Sequence, residues 1–351
     1  MPVATSGAHA RARERILRIC ESGADARTVR LDLIGEIGKV IDHDAYAWLL
    51  TDPETSVGTS PLADVPCLPE LPRLIRLKYL TRLNRWTTLT TPVALLSDVS
   101  GGDLARSLLW HELLRHYDVD DVASSAYRDR YGCWGFLDLW RIDGRFTSTE
   151  GAFLADIAAP VTTALRRAQA ATFTPMSRTG RRGPVVLLLS PDLGVRGQTP
   201  ETRDYLRTLV PPDGDREPVP ASAYNVAAQL LTTEADIDAN PPSARVHLAG
   251  GLWLTLRAAR IGSPDRGSGR DIAVSIEDAS PRERTALFAR AHGLSPRESE
   301  MLSMAASGGD TCALACQLFV SEHTGQDHIR SIFTKTGVHS RSAPLARALG
   351  T

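Results

Sequence analysis

The chain has 351 residues, of which 42% are hydrophobic and 23% are charged, and its formal net charge is −1. It is too long for one average core, and its composition is that of a globular protein with two or three domains. The near-zero charge excludes a global positive field that would pull the whole protein onto nucleic acid or an acidic membrane. No run of about 18 apolar residues occurs, so we predict no membrane span.

The amino terminus and the cysteines indicate a reducing cytoplasm. The first residues carry charges where a secretion signal needs an apolar stretch: MPVATSGAHARARERILRIC. The cysteines are too few and too scattered for a disulfide framework, so we expect buried or free thiols at Cys20, Cys67, Cys133, Cys312 and Cys316. We therefore expect a cytoplasmic protein without a membrane anchor.

The first 170 residues alternate between helical and strand patterns. Apolar spacing predicts helices at 11–20, 29–41, 71–86 and 104–116, and strands at 45–50, 93–96 and 132–142. Thr147 and Glu150 have the spacing of a capping box, so a further helix should begin at Ser148. This mixture of helices and antiparallel strands predicts an α+β domain, of the size common for sensory domains, over residues 1–170.

A polar stretch with prolines and glycines at 171–184 predicts a linker. The pattern after it predicts a turn at 192–194, a helix at 221–232, and strands at 185–189, 252–258 and 272–276. We therefore expect a second α+β domain over 184–278. A helix at 281–292 should connect it to the last domain.

The carboxy-terminal residues predict an all-α domain of four helices over 288–351. Ser295 caps a helix, Pro296 takes its first position, and Glu298 completes a capping box. Gly308 and Gly309 end this helix, and further helices are expected at 310–318, at 321–336 and from about 342. Two helices joined by a tight turn, the second longer, are typical of a helix-turn-helix.

The helix expected at 321–336 has an apolar and a polar side. Spacing of i, i+4, i+7 and i+8 predicts that one side faces the core, with Gly325, Ile329, Ile332 and Phe333. The opposite side carries His323, Gln326, Asp327 and Arg330. Because a helix-turn-helix lays its second helix in the major groove, this polar side would face DNA.

One segment resembles the LuxR/NarL-type (GerE-type) DNA-binding domain over its full length: LSPRESEMLSMAASGGDTCALACQLFVSEHTGQDHIRSIFTKTGVHSRS. The matching positions are Leu294, Arg297, Glu298, Glu300, Ala305, Gly308, Leu314, Ala315, Leu318, Ser321, Thr324, His328, Ile332, Lys335, Gly337, Val338 and Arg341. The resemblance implies a transcriptional regulator, not an enzyme, whose partner is double-stranded DNA.

The resemblance also assigns roles to side chains of the third helix. Gln326, Asp327 and Arg330 become the residues that read bases, because their groups suit adenine, the cytosine amino group and guanine respectively. The residues that would hold phosphates are His323, Thr324, Lys335 and Arg341.

The charges of this domain form a local patch. From residue 288 onward, the basic residues are Arg290, Arg297, Arg330, Lys335, Arg341 and Arg347, and the acidic ones are Glu298, Glu300, Asp310, Glu322 and Asp327. Beyond Asp327 every formal charge is positive. So small an excess should bind DNA weakly in one copy, and we expect a homodimer on paired half-sites.

Three positions depart from the family pattern. Gly325 stands where valine is usual, Cys312 and Ala313 replace a polar or charged pair, and Pro344 falls where the last helix should be under way. They leave open an alternative, a ligand-binding or scaffold protein whose helix-turn-helix binds other proteins. A phospho-receiver is excluded, because Lys39 and Lys78 come too early to be its late active-site lysine.

Two further segments resemble sensory domains. The first resembles the late strand, turn and helix of GAF regions that precede LuxR-type domains in actinobacteria: YRDRYGCWGFLDLWRIDGRFTSTEGAFLADIA. Residues 185–276 resemble a PAS-like domain, most closely at AYNVAAQL and the strand at 252–258. Such domains bind small molecules or mediate dimerisation, so the resemblance implies an effector at the GAF-like domain. No cofactor is evident.

Four weaker patterns favour structural roles. His111 and His116 are five residues apart, about 140° around a helix, whereas zinc-protease histidines are four apart. Cys312 and Cys316 share a helix face but are better interpreted as buried thiols than as a redox or metal switch. Trp134 and Trp140 are more typical of core than of a ligand pocket. Residues 118–121 indicate a solvated loop rather than a cation site.

Overall fold

A computed structural model describes residues 3–175, 185–202, 221–248, 250–262, 270–306, 322–338 and 342–351. The chain forms two compact units. The first unit comprises 1–165, 182–246 and 255–277, and the second comprises 166–181, 247–254 and 278–351. Among the described residues, no helix has the length and apolarity needed to cross a bilayer. The domain boundaries at 1–170, 184–278 and 288–351 stay a prediction.

The amino-terminal region contains an antiparallel sheet of five strands in the order β2-β1-β5-β4-β3. The strands are β1 (Ala45–Thr51), β2 (Gly58–Asp64), β3 (Val93–Leu95), β4 (Asp121–Asp129) and β5 (Gly132–Arg141). The predicted strands β1, β3 and β5 are confirmed, and β2 and β4 were missed. β2 contains Gly58 and Pro61, which are depleted in strands, and β4 is buried along most of its length, so it has no alternating pattern.

Six α-helices accompany this sheet: α1 (Val3–Glu21), α2 (Ala26–Ile37), α3 (Leu71–Leu80), α4 (Leu96–Val99), α5 (Leu108–Glu112) and α6 (Ser148–Ala171). The capping box of α6 is confirmed, since the Glu150 amide donates to Thr147 Oγ1 and the Thr147 amide to the Glu150 carboxylate. The helix predicted at 71–86 ends at Leu80, and the chain then turns through Asn84, which has a φ of 49°.

The segment predicted as one helix at 104–116 is divided. Short 3-10 helices at Leu104–Arg106 and Leu114–Tyr117 flank α5. The division follows from the backbone, because Ser107 is extended and its side chain caps α5, while Leu113 leaves the helical region with a φ of −134°. His111 and His116 therefore do not share a continuous helix. Asp121, expected in a solvated loop, is fully buried and accepts from the Ser97 amide and hydroxyl.

The second sheet has five strands in the order β7-β6-β10-β9-β8, accompanied by α7 (Ala221–Glu234). The strands are β6 (Val185–Leu189), β7 (Val195–Gln198), β8 (Ser243–His247), β9 (Trp253–Arg260) and β10 (Ile272–Asp278). The predicted β6, β9, β10 and α7 are confirmed. The edge strands β7 and β8 were missed, because both are short and carry polar residues through their length.

The described carboxy-terminal residues form α8 (Pro281–Ala291), α9 (Pro296–Ala306), α10 (Glu322–Thr336) and α11 (Ser342–Leu349). These agree with the predicted connecting helix and with three of the four helices expected after it. The helix predicted at 310–318 lies outside the described residues, as do Cys312 and Cys316. The described thiols are buried as expected, and burial raises the pKa values of Cys20 and Cys67 to about 11.

A buried ion pair within the first unit joins β1 to β8. Asp52, at the end of β1, has no exposed surface and accepts from Nε and Nη2 of Arg245, each at 2.7 Å. It also accepts from the Arg245 amide at 2.8 Å and the Glu54 amide at 2.9 Å. Although burial alone raises it, these contacts hold the pKa of Asp52 below its usual value. The carboxylate is therefore charged and fully solvated by the protein.

Replacement of Asp52 by Asn should destabilise the first unit by up to about 3 kcal/mol, because the buried guanidinium of Arg245 loses its buried counterion and keeps the half-exposed carboxylate of Glu54, at 2.9 Å. Urea unfolding of the full chain measures the change. The control is Glu277→Gln, which breaks an exposed pair with Arg257 at 3.5 Å and should cost less than about 1 kcal/mol. Equal midpoints for the two variants would contradict this role of Asp52.

Candidate nucleic-acid interface

The two sides of α10 are divided as the sequence predicts. Ile332 is 5% exposed and Gly325 is buried, while Ile329 and Phe333 are half-buried. Ile329 packs against Met301 of α9. On the other side, the three predicted base-reading residues are exposed: Gln326, Asp327 and Arg330. The helix thus presents an amide, a carboxylate and a guanidinium along one exposed face, which are the groups that recognise base edges in a major groove.

The exposed guanidinium has a weak intrahelical partner. Arg330 Nη1 lies 3.6 Å from Asp327 Oδ1, and the two side chains are 74% and 57% exposed. An exposed i, i+3 pair of this kind contributes a few tenths of a kcal/mol. Arg330 can therefore exchange Asp327 for a base at small cost.

The predicted phosphate-binding residues are less uniform. His323 and Thr324 lie in the first turn of α10, and Arg341 lies outside the described residues. Lys335 is in the last turn, and its ammonium contacts both oxygens of Glu298, at 2.6 and 2.9 Å. A phosphate at Lys335 would have to share the ammonium with this carboxylate.

Glu298 is the side chain that joins α9 to α10. It caps α9 as predicted, since the Ser295 amide donates to its Oε2 at 2.6 Å and its own amide donates to Ser295 Oγ at 3.3 Å. Ser331 donates to its Oε1 at 2.6 Å, beside the contacts from Lys335. The Glu298 side chain is 5% exposed. A single buried carboxylate therefore serves as a helix cap and as the acceptor for two residues of α10.

The pKa of Glu298 reflects this arrangement. Burial alone would raise it, but hydrogen bonds from Lys335, Ser331 and the Ser295 amide lower it to about 2. The sequence predicted the cap alone, because the cap is local and Lys335 is 37 residues away. Nothing in the helical periodicity indicates which acid meets Lys335.

Arg347 of α11 joins this last helix to the end of α10. Its Nη1 donates to the carbonyl oxygen of Thr336 at 3.2 Å, and its Nε donates to that of Phe173 at 3.0 Å. Pro344 lies in the first turn of α11, where no intrahelical hydrogen bond needs its missing N–H. The last helix therefore forms with Pro344 in place.

Glu298→Gln should lower the stability of the α9–α10 pair by about 1–3 kcal/mol, because the amide keeps the cap and loses the charged bonds. A folded-state pKa of about 2, below the usual 4.5, stabilises the fold above about pH 4.5, and the stabilisation is lost as pH falls towards 2. Hydrogen exchange of peptides from residues 296–306 and 322–336, corrected for intrinsic rates, measures the difference at each pH.

The control variant is Glu300→Gln on the same helix. Glu300 is 52% exposed and pairs with Arg297 at 2.8 Å, so its loss should change protection little at any pH. A difference between wild type and Glu298→Gln that stays constant down to about pH 3 would contradict the assigned role.

Comparison with known proteins identifies this region. Residues 292–347 match the family of bacterial regulatory proteins of the luxR type, GerE. No curated protein matches the chain. One solved structure, described as the sensor region of a sensor histidine kinase, is 15% identical and has a TM-score of 0.16, over 67% of this chain and 84% of that chain. A likeness at that score establishes no shared fold. Residues 292–347 are a luxR-family DNA-binding domain, which supports a role in transcription regulation.

Proposed function

We propose that the protein is a sequence-specific transcriptional regulator that responds to a small molecule and acts as a homodimer in the cytoplasm. The observation that carries the proposal is the exposed face of α10, on which Gln326, Asp327 and Arg330 are available to base edges while Ile332 is anchored in the domain. A protein that reads chromosomal DNA has no need of a catalytic centre, and we propose no enzymatic activity.

Dimerisation is proposed from the electrostatics of the interface. The described base-reading face holds one cation, Arg330, beside the anion Asp327, and Lys335 is engaged with Glu298. Because few positive charges are available, binding of one copy releases few counterions from DNA. One copy therefore gains little non-specific affinity. Two copies on paired half-sites would add their contacts within one complex.

The sensory role is proposed for the α+β part of the chain. Its resemblance to GAF and PAS-like regions supports an effector site in the GAF-like domain and a PAS-like domain between that site and the DNA-binding helices. The effector would change the affinity for DNA by binding one arrangement of the chain better than another.

Arg330→Ala should weaken binding to a preferred duplex by about 1–3 kcal/mol and relax selectivity at one base pair. The preferred duplex is first selected from a random pool with the wild-type protein, and affinities are then measured by gel shift at fixed salt. The matched control is Arg297→Ala, which removes an exposed arginine that also has an i, i+3 acidic partner. Unchanged affinity and unchanged selectivity in Arg330→Ala would reject base reading by this residue. Failure of the wild type to select any duplex would favour the protein-interaction alternative.

A duplex with two half-sites one helical turn apart should bind about 100-fold more tightly than one with a single half-site, because the second contact becomes intramolecular. Moving one half-site by about half a turn, to the other face of the duplex, should remove most of this gain. Titration of the three duplexes with sedimentation analysis of the complexes tests the dimer. A complex with one chain on the paired site would contradict it.

A further inference from the structure

The first unit contains a cavity between the first sheet and helices α3 and α7. The empty space there is about 560 Å³, a figure that includes the open mouth. Ala47, Phe136 and Trp140 belong to the sheet wall, and Tyr79 of α3 and Asn225 of α7 belong to the helical walls. This space is called the α3–α7 cavity below.

Side-chain alternation explains why the sheet leaves room there. Ala47 is paired with Ala63 on one neighbour and with Asp138 on the other, so these three lie side by side on one face. Two of the three are alanines, whose small side chains leave space between the sheet and the larger side chains of α3. The sheet wall of the cavity is therefore shallow at this point.

The charged pair in the cavity wall is internally satisfied. Lys78 Nζ lies 2.7 Å from Asp138 Oδ2 and donates to the carbonyl oxygen of Asn84 at 2.9 Å. Asp138 Oδ1 also accepts from Ser124 at 2.7 Å. A charged ligand would find no free counterion in this pair, and burying an unpaired charge is costly. An uncharged ligand is favoured.

Two buried donors in the wall have no partner among the described residues. These are Nδ2 of Asn225 and Nε1 of Trp140, in side chains that are each 1% exposed. A buried N–H without an acceptor costs about 1–3 kcal/mol. Both residues line the same cavity, so an acceptor atom bound at either donor would remove part of a cost that the protein otherwise carries.

Asn225 can lie close to the sheet because the adjacent residue of β2 is a glycine. A Cβ atom at Gly58 of β2 would lie 3.3 Å from Cγ of Asn225 and 2.7 Å from Leu49 Cδ2. The Gly58 amide donates to the hydroxyl oxygen of Tyr79 at 2.9 Å, which joins β2 to α3. The absent side chain thus lets α7, from the second α+β region, form a wall of a cavity on the first sheet.

We propose that the α3–α7 cavity binds a compact, uncharged, mainly apolar molecule that carries a hydrogen-bond acceptor such as a ketone oxygen, and that Asn225 recognises this acceptor. As an effector site the cavity rests on the proposed function, whereas binding itself does not. A ligand held by both α3 and α7 would link the first sheet to the second α+β region.

The test uses the full chain and two probes of the same shape, acetophenone and α-methylstyrene, which differ by an oxygen in place of a methylene group. Dissociation constants are measured by titration calorimetry or by saturation-transfer NMR. Asn225→Leu should weaken acetophenone relative to α-methylstyrene by about threefold to tenfold. The quantity compared is the ratio of the two dissociation constants in the variant, divided by the same ratio in the wild type. The different hydration of the two probes is the same in both proteins and therefore cancels.

Two variants control the result. Ser222→Ala removes a buried hydroxyl that also lacks a partner, on the same helix but outside the cavity lining, and should leave the ratio unchanged. Ala47→Leu places a larger side chain on the sheet wall of the cavity and should weaken both probes together. An unchanged ratio in Asn225→Leu would overturn the role of Asn225, and unchanged binding in Ala47→Leu would overturn the cavity as the site.

A measurement on the wild-type chain covers the case in which Asn225→Leu does not fold. The side-chain amide resonances of Asn225, observed in protein labelled at asparagine, should move more with acetophenone than with α-methylstyrene. Movement with neither probe would reject the acceptor. Gel shifts on the same preparations report on the proposed function alone, so a protein that binds no duplex can still pass or fail each test of the cavity.

Discussion

The second unit depends on one buried cation, the guanidinium of Arg284, which is 2% exposed. It donates to the carbonyl oxygens of Gly251, Thr174 and Arg347, and it lies 5.3 Å from the ring of Phe173. Burial lowers its pKa, and a buried charge is costly unless its donors find acceptors. Its Nε has no partner among the described residues, so the charge depends on the acceptors of its two Nη groups. Those acceptors come from separate stretches of chain, so the connecting helix, the turn before β9, the segment after α6 and the last helix must stay together to solvate it.

This requirement reaches α10, in the DNA-binding domain, through Arg347. The residue that offers its carbonyl to Arg284 uses its own guanidinium to bind the end of α10 at Thr336 and the backbone of Phe173. Glu298 fixes the same helix to α9 through Lys335 and Ser331. The exposed face of α10 is thus presented by a helix held through two sets of charge-assisted hydrogen bonds. A displacement of the segment around Phe173 would act on α10 through hydrogen bonds of Arg347 that are present in the structure.

Local sequence patterns predicted some of these helices and their exposed faces, but they did not predict the contacts between distant segments. The 3.6-residue period divided α10 into buried Ile332 and exposed Arg330, and capping boxes located the starts of α6 and α9, because both signals depend on neighbours within a few residues. Packing between distant segments produces the contact of Glu298 with Lys335 and the contacts of Arg284 with three carbonyl groups. An arginine in an amphipathic helix is ordinarily expected on the solvent-exposed side, so nothing in the sequence indicated that Arg284 would be buried. Strand β4 was missed for a related reason: burial from both sides removes the alternation by which a strand is recognised.

The residues that line the α3–α7 cavity also could not be identified from the sequence. Trp140 was expected to be core, and it is buried, yet its indole N–H has no partner in the described part of the chain and the residue lines a cavity. Asn225 stood in a stretch noted only for its PAS-like resemblance, and its proximity to the first sheet depends on a missing side chain at Gly58. Composition distinguishes neither residue from ordinary core. Within the described part of the first unit, other buried groups such as Trp48 Nε1 and Thr81 Oγ1 also have no partner. What sets Asn225 and Trp140 apart is that both line one apolar space, where a bound acceptor could pair with a donor that packing leaves unpaired.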